Sequence, residues 1–386
     1  MDTKQYIDQL SQLVAIPSVS AADKKLDTSN KAVVELLANW FTPLGFECRI
    51  EAIANYPGKF NLIAVKGQGR GGLVLAGHTD TVPYNAERWQ QDPFVLTERD
   101  ERLYGLGATD MKGFFPVIWA TLQKLGNGNF KDTQLTAPII ILATADEESS
   151  MSGARALVEQ KFPQASYAII GEPTGMRPIT MHKGILMEAV RVNGKAGHSS
   201  NPALGLNAME VMNKVITELM VYRRELQTRY TNPHFEVSVP TLNLGCIHGG
   251  DSPNRICSAC ELHFDLRLMP GMQLDEVRQQ LKHRLTPIAE KTGADIIFST
   301  LFAGVPAFAQ DSNSEFIQTI QQLTQHNAEA VGFATEAPFL QALGMHTVVM
   351  GPGSIDQAHQ ANEFIALSEL LPAVNILEQL ITKYCL

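Results

Sequence analysis

The chain has 386 residues, 45% apolar and 18% charged, with 40 acidic against 31 basic side chains and a formal net charge of −9. Such a composition excludes a disordered chain and a basic nucleic-acid-binding surface, and this length makes two domains the natural expectation. No run approaches the roughly 20 apolar residues of a membrane helix, and the five scattered cysteines make no disulfide framework; the expectation is a cytoplasmic protein without nucleic-acid or membrane partners.

The first twenty residues place Tyr6, Ile7, Leu10, Leu13 and Val14 at helical spacing, an amphipathic helix and not a signal peptide. The runs GGLVLAGHTD (71–80), APIIILATADEE (137–148) and ASYAIIGEP (165–173) read as buried parallel strands, with helices over 110–125 and 152–161 between them. The pattern then changes: a strand over 184–197, a helix over 205–228, strands over 236–247 and 256–268, a helix over 273–291 and a strand over 294–300. That order, β-α-β-β-α-β, is the split βαβ pattern of a ferredoxin-like domain. A fourth buried run, MHTVVMGPG (345–353), follows it. The expected fold is therefore α/β: a discontinuous domain with a mostly parallel central sheet (1–178 and 301–386) and an inserted ferredoxin-like α+β domain (179–300).

Polar residues fall where the apolar strands end. These are His78-Thr79-Asp80, Asp146-Glu147-Glu148 and Glu172-Pro173, and ligands of open α/β sheets bind in the crevice beyond the carboxyl ends of the strands. Asp110 lies in the glycine-bearing stretch GLGATDMKGF and His359 in DQAHQANEF. Imidazole and carboxylate without thiolate suit a borderline divalent metal, zinc foremost, and an Asp that bridges through both oxygens suits a two-metal site. Singly, Asp110 also reads as a helix N-cap and Glu147-Glu148 as a solvated loop; their convergence at strand ends argues for the site. Cys257 and Cys260 read as buried thiols on opposite faces of a strand. GQGRGG (67–72) reads as a turn, because no GK[ST] follows it. The other histidines (182, 234, 248, 263, 283, 326 and 346) receive no role.

These motifs, with Gly171-Glu172-Pro173 and Gly197-His198-Ser199, stand in the order found in dizinc aminoacylases and exopeptidases of the M20 family. The resemblance runs over essentially the whole chain. It implies a zinc-exopeptidase-like catalytic domain, a lid and dimerisation role for the insert, a homodimer, and two Zn2+ per subunit with Co2+ as a substitute. Asp110 would bridge the metals, His78 and Glu172 would complete one, and Glu148 and His359 the other. Glu147 would be the general base for a bridging water; its distinction from Glu148 rests on the family pattern, not on spacing. Asp80 would hydrogen-bond the His78 ring nitrogen that does not hold metal. His198 would donate to the oxyanion, from the partner subunit in dimeric relatives, and Asn254 and Arg267 would hold a substrate carboxylate.

Within the family, Thr335-Glu336-Ala337-Pro338 resembles the branch that hydrolyses N2-acetyl-L-ornithine to ornithine and acetate in arginine biosynthesis. The branch acting on N-succinyl-diaminopimelate typically has Gly-Thr-Ser-Asp there. Thr335 and Glu336 are thus expected in the substrate site, with Glu336 beside the cationic side chain. The alternatives are the desuccinylase, a broad N-acyl amino acid deacylase, a dizinc aminopeptidase and a non-catalytic metal-binding scaffold.

Overall fold

The computed structural model describes residues 2–386. The chain divides into two compact units, one running through Thr180 and taking up Gln310–Glu329 and Thr335–Leu386, the other comprising Met181–Ala309 and Ala330–Ala334. Among the described residues, no helix is long and apolar enough to cross a membrane.

The centre of the first unit is a sheet of β1 (Glu47–Ala52), β2 (Phe60–Lys66), β3 (Leu73–His78), β4 (Ile139–Thr144), β5 (Tyr167–Pro173) and β6 (His346–Gly351), in the order β1-β2-β4-β3-β5-β6. The four apolar runs form its parallel core, β3 pairing with β4 and β5, and β6 with β5. The edge hairpin β1–β2, in which only β2 has a short apolar run, Leu62–Val65, adds antiparallel to β4. Every residue of β3 and β4 is buried, so helices must cover both faces, which is why these strands read as unbroken apolar segments.

One of those faces, through Leu73, Leu75, Ile139, Ile141 and Ile169, joins the core made by α1 (Thr3–Val14), α2 (Lys31–Phe41), α3 (Phe114–Leu125) and α5 (Leu367–Cys385), while α4 (Ser152–Gln160) follows the β4 loop. Asp2 starts α1 by accepting from the amides of Lys4 and Gln5, and the helix buries Tyr6, Gln9, Leu10, Leu13 and Val14. Ile7, expected on that face, is only half-buried. The helix expected from 110 begins at Phe114, because residues 105–113 are turns whose amides find partners elsewhere.

The second unit has strands Gly184–Asn193, Thr241–Gly249, Ala259–Leu268 and Asp295–Val305 and helices Ala208–Arg229 and Leu274–Thr292. Its sheet is antiparallel throughout, ordered second, third, first, fourth. Ala259–Leu268 buries alternate residues from Cys260 to Leu268 against a core that includes Val215, Leu219 and Leu281. Cys257 precedes this strand, so strand alternation does not part the two thiols; both are buried in that core, contrary to the expectation of opposite faces. The last strand runs past residue 300, the expected boundary, to Val305.

Gly171 of β5 has no room for a side chain: a Cβ would sit 2.1 Å from the Phe114 ring. Gly171→Ala is expected to cost about 1–3 kcal/mol through overpacking, measured as a lower urea midpoint at unchanged m value. An unchanged midpoint would show that the ring can move aside.

Candidate metal centre at the strand ends

Because β3, β4 and β5 are parallel, their carboxyl ends face one crevice, and the side chains they deliver meet there. His78 ends β3, Glu172 lies near the end of β5, and Glu147 and Glu148 follow β4 by a few residues. Asp110 arrives from the turns before α3, and His359 from the turn after β6, with φ at +60°. Histidine is among the few residues enriched in that left-handed region.

Asp110 stands between two imidazoles. Its Oδ1 is 3.0 Å from His78 Nε2, and its Oδ2 is 3.5 Å from His359 Nε2. On the first side Glu172 Oε1 lies 4.0 Å from His78 Nε2; on the second, Glu148 Oε2 lies 2.9 Å from His359 Nε2. Two sets of donor atoms lie within 4.8 Å of one another, His78–Glu147–Glu172 and His78–Asp110–Glu148. Glu148 pairs with His359 and groups with His78 and Asp110, whereas Glu147 groups with His78 and Glu172, so beyond the shared His78 the two neighbouring glutamates have different partners. Only the His359 side chain is well exposed, at 57%, which marks the open side of the cluster.

The electrostatics show a cluster crowded with buried negative charge. Burial, then the charge of Glu172, pushes the Glu147 carboxyl well above the usual range. Glu172 is also held well above it, by burial and then by Asp110, Glu148 and Glu336 against the relief from His78. Glu148 is raised by burial and Asp110, tempered by His359. Burial disfavours a charged His78, yet the Asp110 hydrogen bond and the charges of Glu172 and Asp80 hold its pKa well above normal; the Glu148 hydrogen bond raises His359. Glu172 Oε1 is buried without a hydrogen-bond partner. Oxygen and nitrogen donors, excess negative charge and an orphaned oxygen fit divalent cations, which reverse these shifts when bound.

Around this cluster lies a layer that holds it. The Asp80 carbonyl oxygen is 3.0 Å from His78 Nδ1, and since a carbonyl only accepts, Nδ1 carries a proton, so Nε2, which faces Asp110, is the nitrogen available to a metal. The Asp80 carboxylate was expected in that role, but its Oδ1 is 3.7 Å from the ring nitrogen, too far for a hydrogen bond. It accepts instead from the amides of Glu147 (3.2 Å) and Glu148 (3.1 Å), which have turned away from the strand ladder and need an acceptor. The preceding residue, Asp146, accepts from Ser20 Oγ at 2.8 Å and pairs at 2.9 Å with the buried Lys59, which also binds Asp27. Asn61 of β2 donates to the Gly153 carbonyl and accepts from the Ala145 amide. Sequence reasoning gave Lys59 and Asn61 no role; the available signal was a Lys just before and an Asn just inside the start of a strand that continues as the apolar run Leu62–Val65.

His198, Asn254 and Arg267 belong to the second unit. There the Ser199 amide donates to the Asn254 carbonyl at 3.2 Å, bringing the His198 and Asn254 loops together. Asn254 Oδ1 accepts from Ser252 Oγ, and Arg267 is paired at 3.0 Å with Asp265. Thr335 and Glu336, expected to face substrate, are 1% and 2% exposed. Thr335 Oγ1 accepts from the Ala337 amide, capping a short helix, and Glu336 Oε2 accepts from Thr144 on the buried side of the sheet. The Glu336 carboxylate is thus packed into the protein beside Glu147 and Glu172, with its Oε1 buried and without a hydrogen-bond partner.

Carboxylates and imidazoles converging at the ends of parallel strands are the arrangement of a metal-dependent hydrolase. The chain belongs to peptidase family M20/M25/M40, whose model matches residues 74–383. An acetylornithine deacetylase of Proteus mirabilis is 46% identical over 99% of this chain and 97% of its own length. An acetylornithine deacetylase of Aliivibrio salmonicida is 47% identical over 100% of both. The fold is shared with a dinuclear metal-binding M20 peptidase from Bacillus subtilis, at a TM-score of 0.67 and 16% identity over 98% of this chain and 96% of that one.

Burial, against the hydrogen bond from Thr144, pushes the Glu336 carboxyl from 4.5 up to about 7. In the metal-free protein, the stability tied to its neutral form is fully present below about pH 4.5 and is lost as pH rises through about 7. Glu336→Gln keeps an acceptor for Thr144 and cannot ionise. Its melting temperature is expected to gain on the wild type as pH goes from about 5 to about 8; parallel pH profiles would contradict this.

Proposed function

We propose that this chain hydrolyses N2-acetyl-L-ornithine to L-ornithine and acetate, a small-molecule deacylation in arginine biosynthesis. Two divalent metal ions, zinc with cobalt as a substitute, would be held by His78, Asp110 and Glu172 on one side and Asp110, Glu148 and His359 on the other. The observation that carries the chemistry is the Asp110 carboxylate, with one oxygen toward each imidazole. The choice of substrate rests on near-half identity, over essentially full lengths, to relatives named for that activity.

Metal ions bound there would polarise the amide carbonyl and lower the pKa of water from 15.7 toward roughly 7. Glu147 is suited to the proton work. Its amide is held by Asp80, which fixes the carboxylate beside His78 and Glu172, where it can take a proton from a water and return it to a leaving group. It takes a proton from the attacking water and gives it to the departing α-amine, so the amide C–N bond breaks as acetate and a free amine form. Asp80 keeps both glutamates in register, and the His78 proton on Nδ1 keeps Nε2 directed at Asp110. His198 is proposed as the oxyanion donor, and Asn254 and Arg267 as the holders of the substrate carboxylate. The second unit is proposed as lid and homodimer interface, as in the family resemblance.

Glu147→Gln is expected to lower turnover by about 10²–10⁴-fold while keeping the wild-type metal content, since Gln preserves shape but cannot take the proton. Acetylornithine should be turned over with a higher kcat/KM than N-succinyl-diaminopimelate or unblocked dipeptides, and chelation should abolish activity until zinc or cobalt is restored. Preference for the succinyl substrate would overturn the assignment, and chelator-resistant turnover would overturn the metal chemistry.

A further inference from the structure

The bridging position demands more of Asp110 than the other ligands face, because each of its oxygens must serve a different side. Its own segment offers little rigidity, since residues 105–113 are turns. What holds the segment is a buried carboxylate from the far end of the chain. Glu363, 2% exposed, accepts through Oε1 from the amides of Thr109 (2.7 Å) and Asp110 (2.9 Å) and through Oε2 from the amide of Gly107 (2.9 Å).

Backbone contacts extend the same attachment. Phe364–Ala366 pairs antiparallel with Arg102–Tyr104, the Gly105 amide donates to the Glu363 carbonyl at 3.0 Å, and Thr109 Oγ1 donates to the Phe364 carbonyl at 2.6 Å. The strand ladder therefore runs out near residue 105, and one side chain continues it to residue 110. Lys112 pins the other side, donating to the Leu13 and Ile16 carbonyls. Glu363 also lies four residues after His359, so one short segment both carries the exposed imidazole and grips the backbone of the carboxylate it faces.

We propose that Glu363 is the positioning residue for the shared carboxylate: it sets the Asp110 backbone so that Oδ1 faces His78 and Oδ2 faces His359. The inference rests on the reading of Asp110 as a ligand common to both metals. Glu363 acts only through Asp110 and its neighbours, by accepting hydrogen bonds from three backbone amides of that turn. A glutamine retains one accepting oxygen but turns an amide N–H toward a backbone N–H, so at least one of the three bonds is lost.

The test is zinc binding by chelator competition, with kcat, KM and the melting temperatures of metal-free and zinc-loaded protein, for wild type, Glu363→Gln, Glu363→Asp and Asp110→Asn. Glu363→Gln should retain zinc about 10–100-fold more weakly, as for other groups that orient metal ligands. It should lose kcat with KM changed less than about threefold and melt near the wild type without metal, while the zinc-induced rise shrinks. Glu363→Asp, with shorter reach, should show the same losses in smaller measure, which keeps the test readable should the Gln variant fold poorly. Wild-type zinc affinity and kcat in either Glu363 variant, alongside zinc loss in Asp110→Asn, would overturn the positioning role. A lower melting temperature without metal and an undiminished zinc-induced rise would also overturn it, showing a purely structural residue. Full zinc affinity in Asp110→Asn would instead refute the reading of Asp110, and this inference with it.

Discussion

Repulsion among buried carboxylates is the constraint on which the first unit depends. Asp110, Glu147, Glu148 and Glu172 are brought to one place at the ends of stiff, fully buried strands, with Asp80 and Glu336 just behind them. Water cannot screen such a group well, so burial and neighbouring charge drive its carboxyls toward their neutral forms. Two imidazoles relieve part of the strain; divalent cations relieve the rest. The driving force of the fold lies below the crevice, in the strand interiors packed between helices.

Holding such a cluster open requires groups that are not ligands. Asp80 ties the amides of Glu147 and Glu148, Lys59 and Ser20 anchor Asp146, and Asn61 fastens the ends of the same loop. These contacts give the neighbouring glutamates different partners, as the proposed division between a metal ligand and a proton carrier requires. On the other side the segment after β6 grips the turns that bear Asp110. The geometry of the centre thus comes from backbone amides fixed by buried carboxylates, a stiffer support than side-chain pairs alone.

The parallel core was legible in the sequence because strands covered on both faces leave unbroken apolar runs, and residues such as His78 and Glu172 interrupt those runs where they end. The insert was legible through its alternation, as in Ala259–Leu268. Less visible was whatever depends on contacts distant in sequence. The partner of Asp80 lies 67 residues away, and the grip of Glu363 on Asp110 spans 253. Neither has a spacing signature. The surroundings of Glu336 were hidden for a related reason: its chemistry suited a cationic substrate, while the packing of a short helix buries it beside Glu172 and Glu147. The edge hairpin β1–β2, with mixed burial and no long apolar run, left no comparable trace.

The central claim is that Asp110 is shared between two metal ions, one on the His78 side and one on the His359 side. Anomalous diffraction from zinc-loaded crystals, collected on both sides of the zinc absorption edge, tests it directly. The account predicts two zinc peaks flanking the Asp110 carboxylate, one contacted by His78 and Glu172 and the other by Glu148 and His359. A single peak, or two peaks with Asp110 bound to only one of them, would contradict it.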